Sequence, residues 1–129
     1  MNGRYLLDSN VIIALFAKDP GVHGHVAKAK EIFIPCIAIG ELYFGAFKSR
    51  HAEKNLHCID ELALDATVLP CDATTARIYG QIKHHLKERG QPIPENDIWI
   101  AAIAQQHRLT LITKDSHFNV IENLTIETW

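Results

Sequence analysis

The stretch Tyr5-Leu6-Leu7-Asp8-Ser9-Asn10-Val11-Ile12-Ile13-Ala14-Leu15-Phe16 decides the fold, because two hydrophobic patterns meet inside it. Tyr5 to Leu7 is a short apolar run of strand character. Val11, Ile12, Leu15 and Phe16 then recur at the i, i+3, i+4 spacing of a helix, and Asp19-Pro20-Gly21 supplies a stop. A strand feeds a helix at Asp8. Open α/β sheets bind their ligands beyond the carboxyl ends of the strands, so this aspartate is aimed at the functional rim.

The same alternation runs through the chain. Val22 to Lys30 reads as a short helix and Glu31 to Ile34 as a brief strand, with Pro35 suited to the first turn of the segment that carries Glu41. His51 to Leu64 repeats the helical pattern at Ala52, Leu56, Ile59 and Ala63, ahead of a strand at Thr67-Val68-Leu69. Asp72 caps a long helix with Ala76, Tyr79, Ile82 and Leu86 inward, Lys87 and Arg89 in its last turn and Gly90 just beyond. A proline-interrupted loop, Gln91 to Glu95, precedes a helix opened by Asp97 and apolar on most sides. Leu109 to Thr113 and Leu124 to Glu127 are the last strands. Strands alternating with helices predict a mainly parallel sheet covered on both faces.

With 129 residues the chain matches one domain, spanning 1–129, and can bury a sizeable core. Its composition is that of a soluble globular protein, 47% hydrophobic and 22% charged, and excludes disorder. A net charge of −2 provides no general polyanion-binding field, so contact with nucleic acid requires a local patch. The strongest apolar stretch, Ile98 to Ala104, is far shorter than the roughly 20 residues that span a bilayer. Met1-Asn2-Gly3-Arg4 enters a strand without a secretory leader, and a cytoplasmic protein is expected. Cys36, Cys58 and Cys71 are odd in number and lack Cys-x-x-Cys spacing, so they read as reduced, mostly buried thiols.

Four acids stand out against this background: Asp8, Glu41, Asp97 and Asp115. Asp8 and Asp115 follow strands. Glu41 and Asp97 lie within or at the start of apolar segments, where an unpaired charge is costly to bury. A divalent cation offsets that cost. Mg²⁺ or Mn²⁺ prefers oxygen ligands and is commonly held by carboxylates together with substrate phosphate, where it serves phosphodiester cleavage without a nucleophilic side chain. Crowded carboxylates repel, so bound metal is needed to keep all of them ionised near neutral pH. Ser9, Asn10, Asn96 and Thr113 flank the acids as orienting groups, and Lys114 is placed to contact phosphate.

Leu6-Leu7-Asp8-Ser9-Asn10, then Gly40-Glu41-Leu42, then Asn96-Asp97-Ile98-Trp99-Ile100-Ala101-Ala102, then Thr113-Lys114-Asp115 with Phe118 resemble, in order and spacing, the PIN-domain ribonucleases, especially VapC-type toxins of toxin–antitoxin pairs. The resemblance covers nearly the whole chain. It implies a three-layer α/β/α sandwich, with Asp8, Glu41, Asp97 and Asp115 as the metal-binding and catalytic acids. It also implies an RNA substrate, often transfer RNA, and a homodimer neutralised by a small antitoxin. One position departs from many relatives, which carry an acid where this chain has His117. That departure puts a second metal ion in question, and His117 itself reads as metal ligand, phosphate contact or ordinary surface histidine, the last being preferred. Glu95 is a further acid near the cleft, read either as a supplement to the site or as a solvated residue at a helix N-terminus.

Simpler readings exist for each residue alone. Asp8 is an ordinary N-cap, Asp97 and Asp115 ordinary first-turn acids, and Glu41 a helix-surface glutamate. His23/His25 and His84/His85 lack the i, i+4 spacing of a helical metal pair. Lys83 to Arg89 and the group Lys48, Arg50 and Lys54 read as solvated faces before they read as RNA grips. Tyr43, Phe44 and Phe47 read as core before they read as a base-stacking, dimer or antitoxin surface, and Trp99 reads as buried. Three other functions compete. A phospho-accepting receiver needs an aspartate at a central strand end, and Asp60, its mid-chain candidate, falls in a helical pattern. An aspartate-nucleophile phosphohydrolase needs a second aspartate where Asn10 stands. A PIN-like module that binds RNA or protein without cutting need not keep all four acids.

Overall fold

Strand β1 (Arg4–Leu7) lies at the centre of a parallel sheet, hydrogen-bonded to β2 (Glu31–Pro35) on one side and β4 (Thr110–Ile112) on the other. The computed structural model describes residues 3–129, so Met1 and Asn2, on which the expectation of no secretory leader partly rests, lie outside the described residues. β3 (Thr67–Leu69) pairs with β2 and β5 (Ile126–Glu127) with β4, which gives the all-parallel order β3-β2-β1-β4-β5. The chain reverses its direction of travel across the sheet between β1 and β4. That switch point opens a crevice at the strands' carboxyl ends.

Among the described residues six helices cover the sheet: α1 (Ser9–Phe16), α2 (Pro20–Lys28), α3 (Cys36–Phe47), α4 (Ala52–Asp65), α5 (Ala73–Glu88) and α6 (Glu95–His107). Alternation along β1 divides the core in two. Leu6 joins Leu111, Phe118 and residues of α5 and α6 on one face, whereas Tyr5 and Leu7 join Ile112 and residues of α1 to α4 on the other. The result is the expected three-layer α/β/α sandwich. α6 is buried nearly all round, from Asp97 and Ile98 through Ile100 to Ala104, because it packs on both the sheet and α5. No helix among the described residues is long and apolar enough to cross a membrane.

Local chemistry explains the boundaries. Asp19 ends one helix and starts the next, its Oδ1 accepting from Gly21 N at 2.9 Å and Val22 N at 3.2 Å, so α2 begins at Pro20 rather than Val22. α5 opens on a capping box in which Asp72 accepts from Thr75 N at 3.0 Å and Thr75 Oγ1 accepts from Asp72 N at 3.0 Å. α6 opens two residues before Asp97, with Pro94 as its N-cap. A 3₁₀ turn over Ser116–Val120 was not anticipated.

Several burial expectations are corrected. Phe44 and Phe47 are 68% and 69% exposed, and Phe16 and Ala76 also face solvent. The inward residue of α5's first turn is Thr75, whose hydroxyl is shared by Asp72 and Gln106. Trp99 is only partly buried and stacks on Tyr79 at 4.0 Å between ring centroids. Cys71 is exposed and Cys36 and Cys58 only partly buried, so the three thiols are not mostly interior.

Candidate metal centre

Each acid reaches the switch point on a different element. Asp8 leaves β1 and caps α1: its Oδ1 accepts from Ser9 N at 2.8 Å, and its Oδ2 accepts from Thr113 Oγ1 at 2.8 Å and from Asn10 Nδ2 at 3.4 Å. Thr113 in turn accepts from Asp115 N at 3.0 Å, and Asn10 Oδ1 accepts from Lys114 N at 3.2 Å. The exits of β1 and β4 are thereby tied together. Asp115 caps the 3₁₀ turn, its Oδ1 accepting from His117 N at 3.0 Å. Asp97 is buried in the first turn of α6, and Glu41 projects from the middle of α3.

His117 lies at the surface, as the preferred reading has it, but its ring is engaged by two acids of the site. Its Nδ1 stands 3.0 Å from Asp97 Oδ2 and 3.0 Å from Asp115 Oδ2. One donor atom from each of these three residues lies within 4.8 Å of the others. The short Asp115-Ser116-His117 turn produces this, since it aims a carboxylate and an imidazole two residues apart into one space. An acid and a histidine spaced i, i+2 after a strand was the available signal.

The electrostatics agree with a shared site. Burial raises the Asp8 carboxyl above its ordinary range, partly offset by its bonds from Thr113 and Ser9, and the Asp115 charge raises it further. Burial likewise raises Glu41, with Asn96 opposing and the charges of Asp8 and Asp97 adding. Asp97 is raised by burial, lowered by its hydrogen bond with His117, and raised again by Asp8 and Asp115. Glu41 Oε1 is buried with no hydrogen-bond partner. An orphaned buried carboxylate oxygen beside three other acids fits a divalent cation, which would satisfy that oxygen and neutralise the mutual repulsion.

The remaining candidates sort by their contacts. Asn96 opposes the Glu41 shift, and both line an open cleft of about 460 Å³ with Asp97, Asp115 and His117. Glu95 edges the same cleft but is held by Lys83 and the Tyr79 hydroxyl, so its carboxyl sits below the ordinary range, Lys83 being the main cause. Lys114 Nζ lies 3.9 Å from Asp19 Oδ2. Lys83 and Arg89 of the basic run are engaged with Glu95 and Glu122, which supports the solvated-face reading of those residues. Beside the cleft lies a second depression of about 550 Å³ between α1, α3 and α4, walled by Ile13, Phe16, Leu42, Gly45 and Ile59. Glu41 lines both.

An all-parallel sheet with a carboxylate cluster at its switch point defines an acid-centred α/β protein. Residues 5–124 match the PIN domain family. The chain is 32% identical over 129 residues to "Ribonuclease VapC2" of Haemophilus influenzae, with 98% of each chain covered. It is 30% identical over 135 residues to "tRNA(fMet)-specific endonuclease VapC" of Shigella flexneri, again with 98% of each covered. Among solved structures, VapBC2 from Rickettsia felis bound to a DNA fragment from their promoter superimposes with a TM-score of 0.90 at 28% identity, covering 98% of both chains. The chain belongs to the PIN-domain family and, within it, to the VapC group.

Proposed function

We propose that residues 1–129 form one catalytic domain, a divalent-metal-dependent endoribonuclease that serves as the toxin of a toxin–antitoxin pair. The observation that carries this reading is the convergence of Asp97, Asp115 and His117 donor atoms beside buried Asp8 and the orphaned Glu41 oxygen. Asp8, Glu41, Asp97 and Asp115 hold Mg²⁺ or Mn²⁺. When bound, the ion supplies a Lewis acid for the phosphate and for the attacking water. Thr113, Ser9 and Asn10 keep the Asp8 carboxylate oriented, and Asn96 does the same for Glu41. The cleft is open on its solvent side, which suits a phosphodiester backbone drawn across it.

The names of the Haemophilus and Shigella relatives support RNA as the substrate class and transfer RNA as its most favoured member. A cytoplasmic location goes with that substrate. The partner is a small antitoxin, supported by the Rickettsia neighbour having been solved as a VapBC2 assembly. Its tail lies in the apolar depression and extends over the acids, with an arginine among the carboxylates. The continuity of the two depressions at Glu41 supports this path. The exposed Phe44 and Phe47 supply the apolar surface for a homodimer.

A receiver domain fits poorly. Asp60 lies on α4, where it accepts from the Tyr43 hydroxyl, rather than at a strand end, and the sheet order differs from the 2-1-3-4-5 arrangement of that class. The test is cleavage of labelled transfer RNA and of unstructured RNA by the wild type and by Asp8→Asn, with Mg²⁺, with Mn²⁺ and with chelator. Loss of cleavage in the variant and under chelation is expected. Cleavage indifferent to both would overturn the proposal.

A further inference from the structure

We infer that His117 is a nitrogen ligand of the ion and that it turns this site away from Mg²⁺ toward a first-row transition cation of the Mn²⁺ type. The inference rests on the metal-dependent reading above and specifies which ion it takes. Donor atoms cis to one another on a six-coordinate ion at about 2.1 Å stand about 3.0 Å apart. His117 Nδ1 is 3.0 Å from Asp97 Oδ2 and 3.0 Å from Asp115 Oδ2, so the nitrogen stands from each oxygen at the spacing of neighbours on such an ion, and donor atoms of all three residues lie within 4.8 Å of one another.

The supporting turn leaves these atoms available. Asp115 commits its other oxygen, Oδ1, to the backbone N–H of His117, which locks the turn and leaves Oδ2 facing the cleft. The imidazole is about half exposed, and its Nδ1 is held against the two carboxylates. An imidazole that carries its N–H on Nε2 offers the Nδ1 lone pair to an ion.

Ligand chemistry sets the preference. Mg²⁺ is a hard ion suited to carboxylate, carbonyl and water, whereas imidazole suits first-row transition ions. An oxygen-only site accepts both Mg²⁺ and Mn²⁺, but replacing one oxygen donor by imidazole weakens the former more. An acid at this position would keep the set all-oxygen.

The experiment measures Mn²⁺ and Mg²⁺ binding to the full chain by calorimetry, together with pulsed electron paramagnetic resonance of the Mn²⁺ complex. H117Q, H117D and D97N are the comparisons, with circular dichroism verifying their folds. The wild type is expected to bind Mn²⁺ at least about tenfold more tightly than Mg²⁺ and to show imidazole-nitrogen coupling. H117Q should lose that coupling, and H117D should lose it while the Mn²⁺/Mg²⁺ ratio falls about tenfold and Mg²⁺ binding is retained or improved. Mn²⁺ binding that D97N abolishes, without nitrogen coupling and with the same ion ratio in H117D, would overturn the role of His117 and leave the metal site standing. Binding of neither ion, or binding indifferent to D97N, would overturn both.

Discussion

The acidic cleft and the apolar depression are of similar size and meet at Glu41, yet they are built in opposite ways. The cleft is lined by side chains of the 3₁₀ turn, the start of α6 and Glu41 of α3, and the turn is tied through Thr113 to Asp8 at the end of β1. The depression is lined by one face each of α1, α3 and α4 and holds exposed aliphatic surface, with Ile13 57% exposed. Charge is concentrated where backbone ends can orient it. Apolar surface is exposed between α1, α3 and α4. On the proposed function, the contrast assigns cleavage to the cleft and the partner's apolar contacts to the depression, and Glu41 lines both regions.

The sharpest way to break the comparison is Asp97→Asn. Cleavage should fall by about a thousandfold or more in a single-turnover RNA assay, as for loss of a group worth several kcal/mol of transition-state stabilisation. Partner affinity through the apolar depression should persist. If Asp97→Asn abolished both, the two regions would not be separable.

Gly45→Leu probes the other side. A Cβ at Gly45 meets nothing within 4 Å, and replacing a helical glycine contributes about 0.5–1 kcal/mol to stability, so the fold should be kept. The leucine fills the depression. Binding of the cognate antitoxin, measured by calorimetry, should weaken about tenfold or more, while cleavage by the free protein stays within about twofold of wild type.

The pH dependence of the metal-free protein tests the charge concentration itself. Asp8, Glu41 and Asp97 are all raised in the fold, burial being the leading cause, so the folded state takes up protons more readily than the unfolded chain. Their favourable contribution to stability is fully present below the ordinary carboxylate range and is lost as pH rises through the raised values. Urea denaturation from pH 4 upward should show this loss, and added Mn²⁺ should reverse it near neutrality. Cleavage should run the other way, falling in acid as the carboxylates protonate. Glu41→Gln should raise the melting temperature of the metal-free protein at neutral pH by about a few degrees, since it removes the charge of a carboxyl whose pKa is raised by burial and whose Oε1 has no hydrogen-bond partner. The smallest effect is expected for Leu64→Ser. Leu64 is 85% exposed, and its replacement should change stability by no more than about 0.5 kcal/mol.

Much of this was legible along the chain. The Leu7-to-Ser9 passage from strand to helix placed Asp8 correctly, because side-chain period and capping are local properties. Asp72 and Gly90 marked the ends of α5 for the same reason. Phe44 and Phe47 were misjudged because hydrophobicity says what a residue prefers and not which helix face finds a neighbour. The sequence raised His117 as a metal ligand but could not show that its ring meets Asp97, 20 residues away, since that contact depends on α6 arriving opposite a 3₁₀ turn with no strong sequence signature.

By itself the sequence determined the succession of strands and helices, the two-sided burial of β1 and the identity of the acids at element ends. Those follow from local periodicity and capping, which a single segment contains. The tertiary structure alone decided that the acids share one space, that an imidazole joins them, and that Glu41 also walls an apolar depression. Those depend on the order in which parallel strands pair and on the angles at which helices settle on the sheet, and such long-range geometry is a property of no single segment.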